Sequence, residues 1–346
     1  MEPDLSYIQA KKLIAGKVGL CIGGGGVLGV GEIGSLNRWV EQGGELANLT
    51  HIVGASVGSM LAITIAAGAD MSYIQKKLGH INFSQFKDGP NVFVKLTRFV
   101  RQYGWYDGES ITNFLGQILQ ELVGNSDITM LELYKLTGKH LTIVYCSLNF
   151  EDVFYIDHYT EPNTKVKEAG RMSSGYPGFY KAYMRRYLHI DEQDSTQNQY
   201  KNDVIIDGGT VDNYPLHVLR EQGLSDDQIF GLKLCSTDDI KEYTQEHGMY
   251  SNDAKYDFGE PTGVEDYLTR LIALFRNAAS KQHVRSSDWI LTVKINVKNM
   301  SSLSFNMTNQ QALDIYNAGV SALDKFIDDT AAQIKGGYIP LTPLSI

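Results

Sequence analysis

The pentapeptide Gly54-Ala55-Ser56-Val57-Gly58 joins an apolar run ending at Val53 to a second apolar run, SMLAITIAAGA. A G-x-S-x-G sequence between a strand and a helix is the setting of a nucleophile elbow, a sharp turn that holds the serine in a strained backbone and exposes its hydroxyl. Gly54 and Gly58 leave room for strand and helix to approach. The helix that follows aims its N-terminus at the serine and favours negative charge developing there. Such a serine attacks acyl carbonyls. The same residues also fit a tight strand-to-helix turn with serine as N-cap, so the chemistry needs partners from elsewhere in the chain.

Two further motifs offer them. Gly23-Gly24-Gly25-Gly26-Val27-Leu28-Gly29 follows the apolar run KVGLCI. Glycines let several N–H groups converge on one point, which binds phosphate or serves as an oxyanion hole. Gly24, Gly26 and Gly29 have the G-x-G-x-x-G spacing of a dinucleotide site. That reading needs an acid at the end of the next strand, and that strand ends in Val53-Gly54-Ala55; no G-K-[ST] follows either. The third motif is Asp207-Gly208-Gly209 after VIID, which places an aspartate at a strand end, where open α/β sheets bind ligands. Asp203 and Asp212 are its neighbours in competition, whereas Asp88-Gly89 and Asp107-Gly108 read as plain turns. None of the eight histidines has the setting of a triad partner: His283 falls in a helical pattern, His247 in a polar run, and His51 precedes the elbow strand. The reading is a two-residue site, Ser56 with Asp207.

The elements that must carry these residues alternate. Strands are expected at 17–22, 50–53, 141–148, 152–156, 204–207, 229–235 and 288–297, and helices at about 29–42, from Ser59, within 70–135, within 165–180 (ending at the small residues and Pro177) and at 309–334. Leu313, Tyr316, Val320, Leu323, Phe326 and Ile327 form the apolar face of the last helix, and the polar stretch 190–203 reads as a loop. This is a βαβ pattern, implying a mainly parallel sheet flanked by helices. The 346 residues contain no repeat or linker, so one domain is expected over 1–346, with a core at about 17–237 and a C-terminal strand and helices at about 260–335 packed on it.

With 43% hydrophobic and 21% charged residues the composition is that of a globular protein. A net charge of −9 disfavours nucleic acid, which demands clustered Lys and Arg. Cys21, Cys146 and Cys235 sit in apolar strand-like runs and read as buried free thiols, without the CxxC spacing of a zinc site; no metal or cofactor is expected. Lys11-Lys12 followed by LIAGKVGLCIGGGG is a poor signal peptide, interrupted by Lys17 and diluted by glycine, and Met60–Ala69 is too short to span a bilayer. The expected location is cytoplasmic and peripherally membrane-associated, with export by a signal-independent route left open.

GGGVLG (24–29), GASVG (54–58) and DGG (207–209), in this order, resemble the patatin-like phospholipase family. MSSGYPGFY (172–180), TVDNYPL and the tail 290–319 support the resemblance, which covers most of the chain. It implies a patatin-like three-layer α/β fold, a Ser56–Asp207 dyad, backbone oxyanion donors from Gly24, Gly25, Gly26, Val27 and Leu28, and calcium-independent hydrolysis of glycerolipid acyl esters of the phospholipase A or lysophospholipase type. The partner would be a phospholipid or other acyl lipid at a membrane surface; a protein activator is compatible with the sequence but not readable from it. Leu28 stands where family members usually carry Arg or Lys, and Glu32 where many bacterial members have histidine. A non-catalytic lipid-binding protein of the same fold, or an acyltransferase or esterase on a soluble substrate, remain the alternatives. A carboxylate is a weak base unless burial raises its pKa, so Asp207 is expected to be shielded from water. Aromatic and basic clusters at 93–106 and 176–187 could meet lipid headgroups or simply pack in the core.

Overall fold

The computed structural model describes residues 4–79, 81, 83–88, 102–189, 199–237, 239–240, 267, 270–272, 274–275, 284, 286–298, 300–302 and 307–338. Helix α1 (Leu5–Ala15) leads into β1 (Gly19–Ile22), α2 (Val30–Glu41), β2 (His51–Gly54), α3 (Val57–Ala66) and α4 (Met71–Lys77). Then come β3 (Gly104–Tyr106), α5 (Glu109–Val123), α6 (Met130–Thr137), β4 (His140–Ser147), β5 (Asp152–Ile156) and α7 (Val166–Ser173). The chain continues through β6 (Gly178–Tyr180), β7 (Tyr183–His189), β8 (Gln199–Asp207), α8 (Leu216–Glu221), β9 (Ile229–Cys235), β10 (Thr292–Asn296) and α9 (Asn309–Lys335).

The strands neighbour one another as β10-β9-β1-β2-β4, all parallel, with β8 and then β7 continuing antiparallel from β4 and β5 also pairing with it. The four residues of β1 and most of β4 and β9 are buried, as expected of strands covered on both faces. The largest core cluster includes side chains of β1, β2 and β4 with those of α2, α3, α5, α7 and α9; a second one gathers Cys21, Val53 and Ile229 under α8. This is the three-layer α/β arrangement expected from the alternation. Trp39 is fully buried against Phe230, and its indole N–H donates to the Ile14 carbonyl. Helices α2 and α9 pack backbone to backbone. A Cβ on Gly319 would collide with the Gly31 carbonyl, and the Ser35 hydroxyl donates to the Gly319 carbonyl at 2.7 Å.

The register explains the site. Ile143 of β4 pairs with both Gly54 and Ile156, and Tyr145 pairs with both Phe154 and Asp207. One edge of β4 is therefore lined by β5, and the other is shared end to end by β2 and then β8. Where β2 leaves that edge, β8 arrives from the opposite direction, and the turn after β2 meets the last residue of β8.

Several elements differ from the sequence expectation. The helix within 165–180 ends at Ser173, at the small residues where its end was expected, and what was not expected is that Gly178–Tyr180 is a strand paired with β3. Of the expected loop 190–203, residues 190–198 lie outside the described residues and 199–203 belong to a strand that runs from Gln199 to Asp207, paired with β7, an element not anticipated. Those rows extend beyond β4, so they need no apolar alternation. Residues 286–291 form 3-10 helix before β10, α1 was unforeseen, and Leu313 is exposed while Ile315 is buried. The cluster at 93–101, as well as His80, His247 and His283, lies outside the described residues. Among the described residues no helix is long and apolar enough to cross a membrane.

At the amino edge of the sheet His51 and His140 are directly paired and stacked at 4.3 Å, and His158 meets His140 at 4.8 Å. Burial first, then the neighbouring His140 and His158, pushes the His51 pKa down to about 4. His140 and His158 are also lowered, chiefly by burial, with Asp157 opposing the shift. Between pH ~6.5 and ~4 the unfolded chain takes up a proton at His51 that the folded chain refuses, so stability falls as pH drops through that window. Urea midpoints of wild type and His51→Phe at pH 7 and pH 5 should show the smaller acid loss for the variant; parallel losses would reject this cause. Gly319→Ala should lower stability by about 1–3 kcal/mol through overpacking, read from the same denaturation curves.

Candidate active site

The elbow is built as the pentapeptide requires. Ser56 has φ 53° and ψ −132°, a conformation that a non-glycine residue adopts only where the surroundings impose it, at about 1–3 kcal/mol. Its N–H donates to the Ser173 hydroxyl at 3.0 Å, and its carbonyl accepts from the Ser59 N–H at 2.9 Å and from the Ser174 hydroxyl at 3.1 Å. The Ala55 N–H donates to the Ile22 carbonyl at 3.2 Å, which ties the turn back to β1. A Cβ on Gly58 would run into the Gly23 carbonyl, and one on Gly54 would lie 2.7 Å from the Ser59 Cα. Close backbone approach, not turn flexibility, is what both glycines serve.

Asp207 closes β8 and is 2% exposed. Its Oδ2 accepts from the Ser56 hydroxyl at 2.6 Å, and its Oδ1 from the Gly209 N–H at 2.7 Å. Its own N–H donates to the Gly175 carbonyl at 3.0 Å. Gly208 lies flat on β4, where a Cβ would strike the Val144 carbonyl. The Cys146 thiol beside it is pushed up to about 12, by burial and then by the charge of Asp207. The rival aspartates are engaged elsewhere. Asp203 accepts from the Ser147 hydroxyl at 2.5 Å, and Asp212 accepts from Tyr155 at 2.7 Å with His217 at 3.7 Å.

The glycine loop lies against the serine: a Cβ on Gly24 would stand 2.7 Å from the Ser56 Cβ. Its N–H groups are not equivalent. Gly24 donates to the Asn213 carbonyl at 3.0 Å, Val27 to the Ser302 carbonyl at 3.0 Å and Leu28 to the Gly25 carbonyl at 3.2 Å. Among the described residues no protein acceptor faces the N–H of Gly25 or of Gly26. Gly26 holds φ 56°, and a Cβ there would hit the Ser302 carbonyl. The Leu28 side chain is 3% exposed and belongs to the main core, and Gly29 faces Val57. Glu32 is buried with Oε1 unpartnered among the described residues, and burial pushes its carboxyl well above the usual range, with Lys233 opposing the shift.

Sequence reasoning singled out Ser56, Asp207 and the glycines; it did not single out what braces them. Ser173 and Ser174 end α7 and clamp both sides of the Ser56 peptide, and the next residue, Gly175, holds the backbone of Asp207. Asn213 donates its side-chain amide to the Gly24 carbonyl at 2.9 Å. Behind the brace Arg171 is 1% exposed, with Nη2 donating to the carbonyls of Asp107 at 3.1 Å and Lys181 at 2.7 Å and the guanidinium over Tyr180 at 5.6 Å. The stretches MSSGYPGFY and TVDNYPL contained most of these residues, but their roles depend on contacts between distant elements.

A hydroxyl hydrogen-bonded to a buried carboxylate can lose its proton to it while attacking an electrophilic carbon. N–H groups beside the hydroxyl can receive the oxygen that becomes charged. Among the described residues no three His, Cys, Asp or Glu side chains are placed to share a metal ion.

The chain is similar to several known proteins. Triacylglycerol lipase 4 of Saccharomyces cerevisiae is 28% identical over 196 residues, 52% of this chain and 20% of its own length. Triacylglycerol lipase SDP1L of Arabidopsis thaliana is 26% identical over 185 residues, 53% of this chain and 22% of its own. The chain thus spans about a fifth of the length of these two lipases. Uncharacterized protein R571 of Acanthamoeba polyphaga mimivirus is 23% identical over 309 residues, covering 89% of this chain and 93% of that one. Among solved structures VipD from Legionella pneumophila shares the fold, with a TM-score of 0.55 at 16% identity over 91% of this chain and 67% of that one. The family model described as Patatin-like phospholipase matches residues 20–220, more than half of the sequence, and the chain belongs to the patatin-like phospholipase family.

Proposed function

We propose that this chain is a lipid acyl hydrolase in which Ser56 is the nucleophile, Asp207 the general base and the glycine loop the oxyanion hole. The observation that carries the reading is the 2.6 Å hydrogen bond from the Ser56 hydroxyl to an aspartate 2% exposed. Ser56 Oγ attacks the ester carbonyl while Asp207 Oδ2 takes its proton. The carbonyl oxygen becomes an anion held by the N–H groups of Gly25 and Gly26, each such donor typically contributing ~2.7–4 kcal/mol to the transition state. Asp207 returns the proton to the departing alcohol or lysolipid, and water repeats the cycle on the acyl-serine. The Gly209 N–H on the other carboxylate oxygen fixes its orientation.

Glycerolipid acyl esters are the substrate class that the family and the two triacylglycerol lipase relatives support, presented at a membrane or droplet surface. Phospholipase A or lysophospholipase activity is the finer assignment. Proton transfer and charge stabilisation are both given to protein groups, so fatty-acid release should be insensitive to chelators. The non-catalytic alternative rests on Leu28, whose side chain is buried in the core, while the backbone of the glycine loop keeps its donors.

Fatty-acid release from phospholipid and triacylglycerol emulsions, with chelator present, should fall roughly 10³-fold or more in Ser56→Ala and in Asp207→Asn. Equal release by wild type and both variants would end the dyad. Ser173→Ala leaves the Ser56 N–H without its acceptor and should lower kcat about tenfold, which is ~1.4 kcal/mol, with KM unchanged. A change confined to KM would show that Ser173 does not hold the nucleophile.

A further inference from the structure

We propose that the ribbon of β7 and β8, together with the β4–β5 turn, is the surface by which this chain seats itself on a zwitterionic lipid layer of the phosphatidylcholine type. The inference rests on the hydrolase reading for its purpose, but not for its observations. The last row shared by β4 and β8 is Ser147↔Ile205. Beyond it β7 and β8 continue through six rows, from Met184↔Val204 to His189↔Gln199, the inner ones bordered by the β4–β5 turn. At ~3.3–3.4 Å per residue the ribbon stands about 20 Å past the carboxyl edge of the sheet, the edge that carries Ser56.

Its apolar side chains are held out in water. Leu148 and Phe150 are each 52% exposed, Tyr200 62% and Met184 43%. They are not loose. Asn149 donates to the Asn202 carbonyl at 3.0 Å and accepts from the Val204 N–H at 2.8 Å, which locks the β4–β5 turn onto β8 with Leu148 and Phe150 on either side of the anchor. Phe150 lies 5.6 Å from Tyr187, whose row places it on one face of the ribbon. Met184 and Arg186, by alternation, share the other face, where Arg186 stacks over Tyr200 at 4.3 Å. These apolar groups keep about half of their surface exposed on both faces of the ribbon, and contiguous exposure of this kind marks a contact site.

Charge selects the occupant. Around these side chains Arg186 and Lys201 are offset by Glu151 and Asp152, and the whole chain carries −9. No net positive field attracts an anionic leaflet. Aromatic rings beside an arginine that keeps its head in water instead suit the boundary between a neutral headgroup layer and acyl chains.

The test uses the full chain carrying Ser56→Ala, so that vesicles are not consumed, in co-sedimentation with phosphatidylcholine vesicles with and without phosphatidylserine. Binding to phosphatidylcholine alone is expected, with no gain from phosphatidylserine. It should weaken at least tenfold with Leu148→Ser plus Phe150→Ser, and independently with Tyr200→Ser. With Ser56 intact, these variants should hydrolyse a water-soluble short-chain ester within twofold of wild type. Undiminished binding by the variants, binding only when phosphatidylserine is present, or a dimer by light scattering that the substitutions dissociate would each overturn the proposal. Wild type that binds vesicles but splits no ester would sustain the surface and overturn the hydrolase.

Discussion

A serine hydroxyl and an aspartate carboxylate separated by 151 positions approach to 2.6 Å, and most of the architecture around them can be understood as what this contact requires. The approach is not made by a flexible loop. One edge of β4 is given first to β2 and then, from the opposite direction, to β8, so that the turn leaving one strand faces the terminus of the other. Main-chain hydrogen bonds on a shared strand thus set the separation across which the two side chains meet.

Holding the contact has a cost, visible in the groups around it. Ser56 sits at a φ that disfavours any side chain, Asp207 is withdrawn from water, and Arg171 is buried with Nη1 unpartnered. Each is offset locally. The Ser56 peptide is clamped by two hydroxyls at the end of α7, the carboxylate receives Ser56 and the Gly209 N–H, and the guanidinium bridges two carbonyls and lies over a tyrosine. The end of α7 is where the terms meet, since it touches Ser56, the backbone of Asp207 and, through Arg171, the turn at Asp107 before α5.

The meeting of Ser56 with Asp207 was more legible in the sequence than what supports it. Ser56 and Asp207 lie in short signatures in which apolar strands deliver polar residues next to glycines, a pattern that local reasoning can read. The parallel core was legible for the same reason, because buried strands such as Gly19–Ile22 and Ile229–Cys235 are continuously apolar. Strand β8 was half hidden, since Gln199–Asn202 lie beyond the core and carry no period-two pattern to detect. The inequality of the glycine-loop donors was invisible, because the acceptors that occupy Gly24 and Val27 are the carbonyls of Asn213 and Ser302, far along the chain. Leu28 looked like a lost cation, and its place in the core was not readable from the sequence.

The antiparallel pairing of β4 with β8 also constrains how the gene can change. Side chains alternate between the faces of a strand, so sliding β8 past Tyr145 by a single residue would turn the carboxylate of Asp207 to the far side of the sheet. Insertions and deletions in the ribbon are therefore tolerated in its outer rows, where nothing downstream is displaced. Between Ile205 and Asp207 even one codon gained or lost breaks the reading frame of the sheet, if not of the message.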